Sequence, residues 1–155
     1  MKDVNEIKDL IRITRSIEVE AHNYICERLP MIGEKLVSEL FDLIMDHGKD
    51  FHLGLTPEIE LDVDESKAYL RILPIEAGSR MSSSDRVLFF PSHDLYTLLE
   101  VKDCELYSRQ LRDNICCDLA NEIKRGLKSL SIKSKIKYEF NFLRDVKSYK
   151  IILKF

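Results

Sequence analysis

Between Lys135 and Phe142 the chain alternates without a break. Ile136, Tyr138, Phe140 and Phe142 fall on one side, and Lys135, Lys137, Glu139 and Asn141 on the other. A period of two marks an extended strand with one buried face, because successive side chains point to opposite sides of the pleat. At 3.6 residues per turn the same side chains would scatter around a helix, so no other segment constrains the fold as tightly. The next segment repeats the design, with Tyr149, Ile151, Leu153 and Phe155 opposite Lys150, Ile152 and Lys154. Lys133–Leu143 and Lys147–Phe155 are therefore predicted to form a β-hairpin that turns at Arg144–Asp145. The pleat gathers the lysines on one surface. Its aromatics face the other way and read as core, not as base-stacking platforms.

That hairpin also explains the charge. The formal net charge of the 155 residues is −3, but it is a cancellation. Residues 1–123 carry 14 basic and 25 acidic side chains, a net of −11, and residues 124–155 carry 10 basic and 2 acidic, a net of +8. Lys124, Arg125, Lys128 and Lys133 lead into the hairpin and join Lys135, Lys137, Lys150 and Lys154 as a candidate basic binding face. Such a stripe neutralises phosphates or docks on an acidic protein. An earlier strand pair mirrors it, with Glu58, Glu60, Asp62 and Asp64 sharing one face. The two rows can pair within one sheet, serve as complementary surfaces in self-assembly, or leave the lysines open to a partner. The acidic row has no EF-hand spacing and is not read as a cation site.

Upstream the period is helical. Val4, Ile7, Leu10, Ile11, Thr14, Ile17, Ala21, Tyr24 and Ile25 recur at three- and four-residue steps and predict a helix over residues 3–29. Pro30 is expected to end it and begin a second helix to about Asp46, closed at Gly48, which would make an antiparallel helical hairpin. Alternating segments at 51–55 and 59–63 follow, then apolar runs at 68–75 and 87–90 that also read as strands, with interruptions at Pro57 and Pro91. Ser92 is expected to cap a short helix at 94–100. A long helix at 103–130 would bury Leu106, Leu111, Ile115, Leu119, Ile123, Leu127 and Leu130. The expected fold is α+β in one domain over residues 1–155. Its order is ααββββαββ, with a mainly antiparallel sheet of about five to six strands and one long helix before the C-terminal hairpin.

Chemistry is sparse. Ser92–His93–Asp94 holds three triad residue types, but sequence neighbours cannot converge as a triad does. His47 and His52 flank a turn without metal-ligand spacing. Residues 78–86 have no period and offer a ligand-contacting loop through Ser79, Arg80, Ser82, Ser83, Ser84 and Arg86. Cys26, Cys104, Cys116 and Cys117 read as reduced thiols of a cytoplasmic protein. No signal peptide, spanning segment or cofactor motif is evident. The favoured reading is a non-enzymatic binding or regulatory protein that docks an acidic partner protein or nucleic acid through its basic hairpin. Two others stand beside it. One is a phosphate-directed hydrolase or nuclease using the 78–86 loop with His52 or His93. The other is a homo-oligomer or subunit of a larger assembly, joined through the helical hairpin.

Overall fold

The computed structural model describes residues 3–46, 55–74, 86–101, 104–141 and 146–154. The chain begins with α1 (Val4–Asp46), followed by strands β1 (Leu55–Asp62), β2 (Lys67–Pro74) and β3 (Arg86–Asp94). A short α2 (Leu95–Leu99) and a 3₁₀ turn (Cys104–Leu106) lead into α3 (Arg109–Ser129), and β4 (Lys133–Asn141) and β5 (Val146–Lys154) complete it. All strand pairs are antiparallel, and the five-stranded sheet has the order β3-β2-β1-β5-β4. The fold is thus α+β with an antiparallel sheet, but the element order is αβββααββ.

The expected helical hairpin is one helix of 43 residues that runs through Pro30. A proline removes a single backbone donor and strains the preceding turn, at about 3 kcal/mol. Burial on both sides of it outweighs that penalty. Ala21, Ile25, Leu29, Ile32, Leu36 and Leu40 form an unbroken buried row at steps of three and four residues, each leucine and isoleucine contributing roughly 1.5–3 kcal/mol when fully buried. The row packs on α3, where Leu111, Ile115, Leu119, Ile123 and Leu127 are buried as expected. Leu106 and Leu130 are exposed instead, because α3 starts after the first and ends before the second. The two helices come close at Gly33, where a Cβ would sit 3.0 Å from Glu122 Cβ.

The first third of α1 departs further from expectation. Val4, Ile7, Leu10 and Ile11 continue the apolar stripe but stand 46–64% exposed. Contact with the rest of the fold begins near Glu18, whose carboxylate accepts the Ser108 backbone N–H at 2.7 Å.

Both interrupting prolines lie inside strands. Pro57 is in β1, just before the Glu58–Asp62 segment that pairs with β5, so the doubly paired part of the strand starts after it. Pro91 is in β3, an edge strand whose register against β2 shifts between Lys67 and Tyr69; edges and irregular pairings tolerate the missing donor. Ser92 therefore belongs to β3. The α2 cap is Asp94, which accepts from the Tyr96 and Thr97 backbone N–H groups. Ser108 caps α3 through the Leu111 N–H.

Helices cover one face of the sheet. Ile59, Leu61, Val63, Ala68, Leu70, Ile151 and Leu153 point into that core. The opposite face carries the charges.

Candidate anion-binding site

β1 lies between β2 and β5, so the acidic and basic rows share one sheet face. Glu58 stands opposite Ile152 and Glu60 opposite Lys150. The lysine stripe is consequently divided. Lys150 is largely enclosed, with Nζ 2.7 Å from Glu139 Oε2 and 3.6 Å from Glu58 Oε1. Burial works against its charge, yet the Glu139 hydrogen bond and the Glu58 and Glu60 carboxylates outweigh that and raise its pKa. Lys137 is 3.2 Å from the same Glu139, and Arg125 is turned back on Glu122 at 3.0 Å within α3. On β2, Arg71 pairs with Glu60 at 2.8 Å. These are cross-strand or local ion pairs, and they remove Lys137, Lys150 and Arg125 from the free basic face.

The remainder converge. Lys124 and Lys128 lie one turn apart on α3, Lys133 opens β4, and Lys154 faces Lys133 across the hairpin. All four line one cavity of about 590 Å³ with Ser131, Ile132 and Ser134. None forms an ion pair with an acid among the described residues. Lys135 is exposed next to Lys133 on the outer face and is likewise unpaired among them. Some of these ammonium groups have a local use as well. Lys128 suits the negative end of α3, and lysines on β4, an edge strand, discourage pairing with another chain.

Two polar wall residues, Ser131 and Ser134, are not part of the basic face read in the sequence. Ser131 takes a positive φ of 61° as its N–H caps Lys128 C=O, so the chain turns from α3 into β4 at the cavity. Nothing in the sequence marks it. Ser134 shares the inner, apolar side of β4 with Ile136, and its hydroxyl is buried without a hydrogen-bond partner. A polar residue at an apolar position of a period-two segment was the available signal.

The expectation for the aromatics needs one correction. Tyr138 lies on the helix side of the sheet, its ring tilted against that of Tyr149 at 5.1 Å, but it is 45% exposed because β4 is an edge.

Ser79, Arg80, Ser82, Ser83 and Ser84 lie outside the described residues, as do His47 and His52; Arg86 and His93 are described only as backbone positions of β3. His22 is exposed on α1, its Nε2 3.6 Å from Cys26 Sγ. Burial, then Asp118, raises the Cys26 pKa, which disfavours the thiolate a nucleophile needs. All four cysteines are free. Among the described residues no group of three His, Cys, Asp or Glu could hold a metal ion, and no helix is long and apolar enough to cross a membrane. No protein family, curated protein or solved structure matches the chain.

Proposed function

We propose that the protein is a non-enzymatic binding module that takes a nucleic acid strand at the end of α3 and the β4–β5 hairpin. The observation that carries this reading is the convergence of Lys124, Lys128, Lys133 and Lys154 on one cavity without acidic partners among the described residues. Unpaired ammonium groups held close together repel one another, and a polyanion relieves that repulsion while releasing its own counterions. An acidic protein surface fits less well. Its carboxylates carry one charge each on separate stems, and a concave wall admits few of them at once. A strand leaving the cavity along β4 meets Lys135 next, about 6.7 Å beyond Lys133, two residues along the strand. Charges at regular intervals suit a groove that follows a backbone.

The test is fluorescence anisotropy with a single-stranded oligonucleotide over a salt series. At about 0.7 per neutralised phosphate, four to five lysines give a slope of about −3 in log Kobs against log salt. Changing Lys124, Lys128, Lys133 and Lys154 to Glu abolishes binding, and Lys137→Gln leaves it nearly unchanged. Equal loss in both variants, or none in either, overturns the reading.

A second reading is favoured by one observation. The exposed apolar stripe of α1, from Val4 to Ile11, supports a subunit role in a larger assembly, with that stripe as the contact surface.

A further inference from the structure

We infer that the lysine-lined cavity recognises a phosphorylated strand end, a terminal phosphomonoester with its nucleotide, rather than backbone phosphates in mid-strand. This rests on the nucleic-acid reading and sharpens it. Three features of the cavity point the same way. First, the side chains of four lysines line a single concave space. An internal phosphodiester carries one charge and must leave such a space in two directions. A terminal monoester carries about −1.5 to −2 at neutral pH on one compact group with three acceptor oxygens, and leaves in one. Second, Ser134 is a wall residue of the cavity and its hydroxyl is buried without a hydrogen-bond partner. A buried polar group left without a partner disfavours the state that holds it. An acceptor oxygen seated in the cavity satisfies that hydroxyl once the Ser134 side chain turns toward the ligand, and the lysines, which only donate, cannot accept from it. Third, about 590 Å³ lies within the range of sites that enclose a small organic ligand. That volume exceeds what a bare phosphate needs and accommodates the terminal nucleotide, with Ile132 as an apolar wall.

Local roles for the lysines do not account for this combination. Complementing the α3 terminus requires Lys128 alone, and guarding the β4 edge requires side chains spread along the strand. Neither explains a buried, unsatisfied hydroxyl on the inner side of β4.

The experiment uses the full chain and one internally labelled oligonucleotide sequence in three forms: 5′-phosphorylated, 3′-phosphorylated, and hydroxyl at both ends. One phosphorylated form is expected to bind at least tenfold more tightly than the hydroxyl form. Ser134→Val, which keeps strand propensity and replaces the hydroxyl with methyl groups, removes that preference. Lys124→Gln on the exposed face of α3 reduces the preference as well, so the result does not depend on Ser134→Val folding. Equal affinity for all three forms overturns the end-recognition proposal and leaves the polyanion reading standing. Absence of binding to any form by folded protein overturns both. A nucleoside monophosphate binding as tightly as the phosphorylated strand makes the ligand a free nucleotide and overturns the proposal, as does tighter binding of a phosphoserine peptide.

Discussion

Glu139 bridges Lys150 and Lys137, its carboxylate oxygens 2.7 Å from one Nζ and 3.2 Å from the other. The two lysines stand directly opposite in the β4–β5 register, where like charges destabilise a strand pair. Glu139 converts that repulsion into attraction. Its hydrogen bond to Lys150 holds its pKa below the ordinary value despite partial burial. A depressed carboxylate contributes stability that is complete above the unfolded value, near 4.3, and is lost as pH falls through the folded value. Glu139→Gln is therefore expected to destabilise the fold by about 0.5–1 kcal/mol at neutral pH, given its partial exposure. The difference should vanish at strongly acid pH in urea denaturation. An equal deficit at all pH values would assign the effect to packing.

Glu58 behaves in the opposite way. It is 4% exposed, Oε1 has no hydrogen bond, and the nearest ammonium, Lys150, is 3.6 Å away. Burial raises its pKa, with Lys150 and Arg71 opposing less strongly. A raised carboxylate pKa means that the folded state disfavours the charge. This penalty is absent below the unfolded pKa, grows as pH rises, and is complete above the folded one. Glu58→Gln should thus stabilise the protein at pH 7 by about 1 kcal/mol, since Lys150 keeps Glu139. The gain should shrink as pH falls below the carboxylate range. Loss of stability at pH 7 would show instead that the Lys150–Glu58 attraction exceeds the desolvation of Glu58.

The pairing of Glu58 with Lys150 also marks how far the sequence could be read. Alternation placed Lys150 and Glu139 on the polar side of their strands, and both residues occupy that side. Which strand flanks β5 is decided by contacts between segments some ninety positions apart, and periodicity holds no information about it. Hence pairing of the two rows within one sheet stands in the sequence as one of three readings, and only the register of β1 on β5 sets Glu60 opposite Lys150. Pro30 was misread for a related reason. The rule that proline ends helices is local, while the buried row from Ala21 to Leu40 is a property of the whole element. That row was visible in the spacing and was the stronger signal. The Ser92 reading failed because the chain stays paired with β2 as far as Asp94, which then serves as the cap.

Gly33 offers a test of the α1–α3 contact. Its added Cβ would meet Glu122 Cβ at 3.0 Å and the Glu122 backbone carbon at 3.3 Å. Backbone cannot yield as a side-chain tip can, so Gly33→Ala should lose about 1–3 kcal/mol to overpacking. The better helix propensity of alanine, about 0.5–1 kcal/mol, returns part of it. Gly126→Ala is the control. There the closest atom, Val37 Cγ2 at 3.2 Å, belongs to a side chain, and the propensity gain should leave stability nearly unchanged. If both variants have the same midpoint in thermal unfolding, close helix approach at Gly33 is not what stabilises the pair.

The exposed start of α1 separates a contact surface from a core. Ile7 and Ile11 belong to the same stripe as Ile25 and Leu36, yet the first pair is about half exposed and the second is buried. Deleting buried methyl groups at Leu36 by Leu36→Ala should cost about 2–5 kcal/mol through lost contacts and a residual cavity. Replacing Ile7 and Ile11 together by Ser should change monomer stability by about 0.5 kcal/mol or less each, as for other surface sites. If the stripe joins subunits, wild-type protein will sediment as a concentration-dependent assembly and the Ile7/Ile11 variant as a monomer with an unchanged unfolding midpoint. A wild-type chain that remains monomeric at high concentration rules out self-assembly through this stripe. A large loss of stability in the double variant would instead mean that these isoleucines pack within the monomer.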